Sequence, residues 1–287
     1  MAEFEAFEAR DAAPETPPTA ALPAGALPYT CLTVSDGAGR RAEPMDSGVI
    51  DELLVSLYVN GQDLATVMCS PLEQEALAAG FLFNEGVIAT RDEIALLQAN
   101  AARTVVDVFL HARDFTPPRR MILTSGCGGG VTLAQLTESY PPLDSAFTTT
   151  PEIVFARMAD LRGAASLYQQ VRGVHIAALA DETALLVSAE DVGRHNAVDK
   201  VAGKALLQGI ATSDRLLLTS GRISSEMLAK ARRMGTPVVA SRTSPTSITL
   251  RLAEAWAICV IGYARGGSLR VYTHPWRLGL AAPRRDS

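Results

Sequence analysis

The spacing of apolar positions changes along the chain, and each change predicts an element. In "LLVSLYVNGQDLATVMC", residues 53 to 69, two runs alternate apolar and polar residues and meet at Asn60 and Gly61. Those two residue types tolerate the positive φ of a tight turn, so the pattern predicts a β-hairpin. In the next stretch, "SPLEQEALAAGFLFNEG", Ser70 stands three residues before Glu73, Pro71 takes the first helical position and Gly86 closes the run. This capping-box spacing with a terminal glycine predicts a helix. "TVVDVFLH", 104 to 111, predicts a further strand.

From Met121 onward, strand and helix patterns take turns. "HIAALA", "ALLVS", "RLLLTS", "PVVAS" and "ICVIGYA" predict short buried strands. "HNAVDKVAGKALLQG", with apolar residues at Val198, Val201, Ala205 and Leu206, predicts a helix, as do "SEMLAKARRMG", ended by Gly235, and "SITLRLAEAWA". The expected architecture is a layered α/β C-terminal domain, residues 121–279, behind a smaller α+β N-terminal domain, residues 28–120. Residues 1–27 are rich in Ala, Pro and Glu without periodicity, which predicts a disordered tail, and residues 280–287 form a short C-terminal one.

Composition narrows the class. Of 287 residues 48% are hydrophobic, enough to bury a sizeable core, and the net charge of -5 comes from interspersed acids and bases. That balance gives no basic face for nucleic acid and no attraction to an anionic membrane. Apolar runs stay below the roughly 18 to 20 residues that span a bilayer, and the N-terminus lacks the basic start and apolar centre of a signal peptide, so a cytoplasmic protein is expected. The four cysteines, Cys31, Cys69, Cys127 and Cys259, have no paired spacing. Reduced thiols, rather than disulfides or a zinc site, are expected.

Chemistry is expected where the strands end, because loops leaving an α/β sheet gather backbone donors and helix N-termini at one edge. In "TSGCGGG" a lone thiol, Cys127, sits among glycines that let backbone approach a ligand closely. It is either a nucleophile or sulfur carrier, or an incidental cysteine of a loop. "SAEDVGRHNAVDK" packs Glu190, Asp191, Arg194, His195, Asn196, Asp199 and Lys200 into a strand-to-helix turn. Arg194 and the helix start suit an anion such as phosphate, His195 suits capping or proton transfer, and the alternative is a charged, well-capped helix start. "TSGRISSE" and "SRTSPTS" each place an arginine and hydroxyls before a helix, and "GYARGGS" adds a fourth Arg/Gly segment. Together they point to a phosphate-bearing ligand, although neither a GxGxxG nor a P-loop spacing is present.

The segments "EALAAGFLFNEG", "TSGCG", "GVHIAAL", "EDVGRHNAVDK", "SGRISSEMLAKA", "SPTS" and "GYARGGSLRVYT" occur in this order, and over about residues 50 to 275 the chain resembles the FdhD family of formate dehydrogenase accessory sulfurtransferases. The resemblance implies a cytoplasmic homodimer with a cytidine-deaminase-like α/β domain. It implies a protein that accepts sulfur from a cysteine desulfurase as a persulfide and passes it to the molybdenum or tungsten bis(molybdopterin guanine dinucleotide) cofactor of a formate dehydrogenase. Residue by residue, Cys127 matches the persulfide-bearing cysteine, and Tyr263, Ala264, Arg265, Gly266, Gly267 and Ser268 match the cofactor-binding stretch. Arg194, His195, Ser220 and Arg222 lie in matching motifs and are expected to bind the cofactor too. His175 either favours the Cys127 thiolate or is a satisfied core histidine. No resident metal is expected.

One departure bears on mechanism. The family loop usually reads Cys-x-x-Cys, and Gly130 stands at the second position here. A neighbouring thiol would release persulfide sulfur through an internal disulfide, and that route is lost. Two readings follow: a single-cysteine persulfide carrier, or a chaperone that binds the cofactor without transferring sulfur. A zinc deaminase would need a His-x-Glu or Cys-x-Glu element and a Pro-Cys-x-x-Cys pair, which the sequence lacks. A plain interaction module leaves the clustered loop arginines and histidines without a task.

Overall fold

The computed structural model describes residues 22–35, 41–116 and 140–281. The loop carrying Cys127, and most of the expected N-terminal tail, lie outside the described residues.

The chain opens with β1 (Ala26–Ser35) and β2 (Arg41–Ile50), an antiparallel pair that forms its own two-stranded sheet. The first strand begins at Ala26, inside the segment read from composition as tail. The predicted hairpin follows as β3 (Leu53–Val59) and β4 (Gln62–Cys69), with Asn60 at φ 49° and Gly61 at φ 77° in the turn. β5 (Ile94–Ala99) and β6 (Val105–Leu110) complete a four-stranded sheet in the order β4-β3-β6-β5. Helix α1 (Gln74–Asn84) packs on one face of it, burying Leu77, Phe81 and Leu82 against Val55, Leu57, Val106 and Val108.

The capping-box expectation fails in detail. The helix starts at Gln74, with Glu73 at φ 56° before it, and the Ser70 hydroxyl donates to Asp191 Oδ2 at 3.0 Å. A buried long-range partner outcompeted the local cap. The terminal glycine expectation holds: Gly86 follows the helix at φ 76°.

The second half is built on a six-stranded sheet in the order β12-β11-β10-β9-β7-β8. Its strands are β7 (His175–Ala180), β8 (Leu185–Asp191), β9 (Leu216–Thr219), β10 (Val238–Ser241), β11 (Cys259–Arg265) and β12 (Ser268–Val271). β9, β10 and β11 run parallel and, up to Gly262 in β11, are buried on both faces, which is why they read as continuous apolar runs. Helices α4 (Arg194–Leu207), α5 (Ser225–Met234) and α6 (Ser247–Trp256) cover one face through Val198, Val201, Met227, Leu252 and Trp256. Two helices absent from the sequence reading, α2 (Pro151–Ala164) and the short α3 (Ser166–Val171), lie on the other side, where Val154, Met158 and Leu161 join the core. The result is a mixed, layered α/β protein. No helix among the described residues is long and apolar enough to cross a membrane.

A close helix crossing joins the two sheets. α1 lies directly on α4, where a Cβ built at Gly80 would stand 1.7 Å from the Asp199 carbonyl oxygen and one at Gly203 1.8 Å from that of Ala76. Only glycine allows the two backbones this approach. Beside the crossing, the fully buried Lys200 and Asp191 form an ion pair at 2.6 Å, and Lys200 Nζ also donates to Ser70 Oγ at 2.9 Å.

Candidate functional site

The densest motif, "EDVGRHNAVDK", divides between architecture and site. Asp191 accepts hydrogen bonds from the Ser70 amide (3.1 Å), the Gly193 amide (2.8 Å) and Asn196 Nδ2 (2.9 Å) as well as pairing with Lys200. Asn196 also donates to the Met68 carbonyl at 2.7 Å. Glu190 receives the amides of Leu167 and Tyr168, both at 2.9 Å, and so caps α3. Asp199 takes Lys230 at 2.5 Å and Asn84 at 2.7 Å. Glu190, Asp191, Asn196, Asp199 and Lys200 therefore hold the protein together. Arg194 and His195, in the first turn of α4, are what the motif leaves for a ligand.

These two residues belong to a cluster at the sheet edge. The hydroxyl of Ser220, just past β9, accepts from the Ile176 amide at 3.1 Å and lies 3.2 Å from His175 Nδ1. Gly221 packs on Arg194, because a Cβ there would stand 2.7 Å from the arginine Cβ. Among the described residues, the buried Arg194 Nε has no hydrogen-bond partner. His195 Nε2 is 3.3 Å from both Ser224 Oγ and Glu226 Oε2. Arg222 is exposed on the same loop.

Burial first, and then the positive charges of Arg194 and Lys230, lower the pKa of His195 to about 3. His175 is lowered by burial and by Arg194. The His195 ring is therefore neutral at neutral pH, hydrogen-bonded at Nε2 to the Ser224 hydroxyl and beside the Glu226 carboxylate. The sign for stability follows: an unfolded chain takes up a proton near pH 6.5 that folded His195 refuses down to about 3, so acidification across that window costs stability. Thermal melts from pH 7 to pH 4 should show a falling Tm in the parent protein and a shallower fall in His195→Gln. Equal slopes would place the acid sensitivity elsewhere.

Four of the remaining predicted residues, Ala264, Arg265, Gly266 and Gly267, line a cavity next to the β11–β12 turn. Gly266 and Gly267, at φ 59° and 77°, form the two residues between Arg265 and its cross-strand partner Ser268, and nothing lies within 4 Å of either glycine's missing Cβ. Both positions demand the left-handed region, and both leave backbone open to a ligand. The cavity, about 250 Å³, is lined by Ala264, Arg265, Gly266 and Gly267 together with Arg242 and, from α2, Phe155, Met158, Ala159 and Arg162. Among the described residues its lining includes three arginines and no acidic residue. Among the described residues no acid pairs with Arg162 or Arg242. Such a wall suits a bidentate oxyanion above an apolar floor.

The structure thus brings Ala264, Arg265, Gly266 and Gly267 into one cavity, and gathers Arg194, His195, His175 and Ser220 into a second group around the α4 start. Tyr263 and Ser268 fall outside the cavity lining: Tyr263 lies beneath the Arg270 guanidinium at 4.2 Å, and Ser268 Oγ donates to the Arg265 carbonyl at 3.3 Å. The two groups are linked across the sheet edge, since Ser241 Oγ donates to the Gly221 carbonyl at 2.6 Å and the Arg242 amide to that of Thr219 at 3.2 Å. Arg162 and Phe155 were missed. Their signal was present, because Phe155, Met158, Ala159 and Arg162 recur at helical spacing after a Thr-Pro-Glu helix start. Cys127 and Gly130 lie outside the described residues.

Fold and site together define a mixed α/β protein with an arginine-lined cavity at the ends of parallel strands. Residues 50–279 match the FdhD/NarQ family, and the chain belongs to that family. It is 36% identical over 242 residues to the sulfur carrier protein FdhD of Bacillus subtilis, covering 82% of this chain and 91% of that one. It is 35% identical over 240 residues to the sulfur carrier protein FdhD of Staphylococcus aureus, covering 80% and 88%. A crystal structure assigned as a formate dehydrogenase accessory protein from Desulfotalea psychrophila superposes with a TM-score of 0.71 at 27% identity, over 88% of this chain and 99% of that one.

Proposed function

We propose that this protein is a cytoplasmic sulfur carrier serving a formate dehydrogenase. It takes sulfur from a cysteine desulfurase onto Cys127 and passes it to the molybdenum or tungsten bis(molybdopterin guanine dinucleotide) cofactor, working as a homodimer whose larger half has cytidine-deaminase-like layering. The observation that carries the reading is the gathering of three arginines around the cavity beside the Gly266-Gly267 turn. Its donors fit the phosphates of a guanine dinucleotide, with Arg162, Arg242, Arg265 and the two glycine amides as the holding groups and Phe155 and Met158 beneath them. The cofactor, when bound, supplies the metal that accepts sulfur.

Loading balances without a redox step. The Cys127 thiolate attacks the outer sulfur of the donor's persulfide, a new S–S bond forms, the donor's own S–S bond breaks, and the donor leaves as a thiolate. Release of the carried sulfur as sulfide takes two electrons. With glycine at position 130, these come from the acceptor or from a separate thiol reductant rather than from an internal disulfide.

The cavity is tested with guanosine diphosphate as the probe. Calorimetry should detect binding to the parent protein, at least tenfold weaker binding by Arg242→Ala, and comparable loss for Gly266→Val, whose side chain adopts φ 59° only under strain and enters the ligand's space. A parent protein that binds no guanosine diphosphate, or variants that bind it as well as the parent, would overturn the assignment.

A further inference from the structure

Charge is divided unequally between the two halves of the chain. Residues 50–116 carry ten Asp and Glu against three Arg and no Lys, whereas residues 140–279 carry sixteen Lys and Arg against eleven Asp and Glu. The basic half holds the arginine-lined cavity. The acidic half holds a sheet face that the chain's own packing leaves unused. One face of the four-stranded sheet lies on α1, and the alternation along its strands points Leu54, Tyr58, Met68, Leu96, Val105 and Phe109 the other way, where none of them joins a hydrophobic cluster. Leu54, Met68, Leu96 and Phe109 are 60%, 50%, 48% and 42% exposed. Their register makes one surface of them: Leu54 stands beside Met68, Phe109 beside Leu96, and Tyr58, between these pairs, is flanked by Asp63 on β4 and Asp107 on β6. The four strands contain no Lys or Arg, and among the described residues no cation pairs with Asp63 or Asp107. Apolar surface rimmed by charge in this way marks a protein-binding face.

The sign, size and position of the face select its occupant. A second copy seated face to face about a two-fold axis would set carboxylates against carboxylates, and residues 1–21 carry five acids to one arginine, so neither is attracted to it. Four strands about 4.8 Å apart and about six residues long present about 19 Å by 20 Å, on the order of 400 Å² a side. That area suits a transient encounter and falls short of the roughly 2,000 Å² of a permanent interface. Gln62 Nε2, beside Asp63 at the β3–β4 turn, donates to the Phe115 carbonyl at 2.8 Å, and Phe115 stands twelve residues before Cys127. The chain therefore sets out for the sulfur-carrying thiol from the edge of this face. A partner that comes and goes, carries Lys and Arg around an apolar centre and has to reach Cys127 is the protein that supplies the sulfur.

We infer that the outer face of the β4-β3-β6-β5 sheet is the docking surface for the sulfur donor, a cysteine desulfurase that presents Lys and Arg around an apolar patch. This rests on the carrier reading in the proposed function and adds the surface by which the donor is recognised. The protein then offers opposite signs to its two clients: carboxylates toward the donor protein, arginines toward the anionic cofactor. Long-range attraction of this kind speeds the encounter and is screened by salt.

Initial rates of sulfur loading, read by mass spectrometry at increasing concentrations of a cysteine desulfurase supplied with cysteine, test this. Leu54→Lys and Asp63→Lys should each raise the donor concentration needed for half-maximal loading at least about tenfold, with the maximal rate within about twofold of the parent's. Added salt should slow loading of the parent more than loading of Asp63→Lys. Glu182→Lys, the same change of charge at an exposed position in the other half, should load like the parent. Leu54 and Asp63 are exposed, so circular dichroism and guanosine diphosphate binding should match the parent in all three variants. A parent that never loads would remove the carrier reading and this surface together. A parent that loads, with Leu54→Lys and Asp63→Lys no weaker than Glu182→Lys at every donor concentration or lowered in maximal rate alone, would overturn the docking surface and leave the carrier standing. Light scattering that finds either substitution changing the oligomeric state would do the same, since the face would then belong to a second copy.

Discussion

Cys127→Ala is expected to take up no sulfur when incubated with a cysteine desulfurase and cysteine, while the parent protein gains the mass of one sulfur on Cys127 and both bind guanosine diphosphate alike. The structure supplies the comparison that makes this decisive. Persulfide formation needs a thiolate that a donor protein can reach. Two of the other three cysteines do not meet that need: Cys69 and Cys259 are fully buried, and burial pushes both thiols up to about 12. For Cys69 the Asp191 charge adds to the rise, after the loss of solvent. Cys31 is partly exposed on the β1–β2 ribbon. The informative pair is therefore Cys127→Ala against Cys31→Ser, with mass spectrometry of intact protein and of peptides as the readout. Loss of loading in the first and retention in the second supports a single-cysteine carrier. Loading that survives Cys127→Ala ends the proposal, and loading that disappears only with Cys31→Ser moves the chemistry to the ribbon. A parent that binds the nucleotide yet never accepts sulfur would make the protein a cofactor chaperone instead, the reading that Gly130 first raised.

The sequence made the parallel strands and their helices visible because burial on both faces leaves little choice of side chain, and "RLLLTS", "PVVAS" and "ICVIGYA" contain almost nothing else. Elements with mixed demands were harder to see. α2 buries only Val154, Met158 and Leu161 among polar neighbours, so its periodicity is diluted, and with it Arg162 went unread. β1 and β2 show no alternation of buried and exposed residues because both faces are open in the single chain. In "EDVGRHNAVDK" the density of polar residues looked like a ligand loop. Most of that density instead satisfies partners more than a hundred residues away, such as Ser70 for Asp191 and Asn84 for Asp199. Local spacing cannot tell a charge aimed at a ligand from one aimed at a distant segment of its own chain. The Arg265-Gly266-Gly267 turn was legible for the opposite reason, since its demand for positive φ is local and only glycine meets it without strain.

The same limit explains why the largest structural effect is expected at a residue that no motif chemistry singled out. Gly80→Ala adds one methyl group, and that methyl would stand 1.7 Å from the Asp199 carbonyl oxygen and 2.7 Å from the Gly203 amide nitrogen. Both are backbone atoms, so no side chain can rotate away and the helices α1 and α4 must separate. Separation would loosen the Lys200–Asp191 pair and its Ser70 partner, which lie beside the crossing with no access to water. A buried pair left poorly held costs more than the packing alone. We expect Gly80→Ala to lose at least about 3 kcal/mol, the upper end of what overpacking costs, and roughly 6–12 °C of Tm in a domain of this size. Gly163→Ala serves as the control, since it is a helical glycine of α2 with nothing within 4 Å of its missing Cβ. There the added methyl should be neutral or raise Tm slightly, through helix propensity and a less flexible unfolded chain. If calorimetry finds Gly80→Ala as stable as Gly163→Ala, the two helices are not in backbone contact and the sheets are joined some other way.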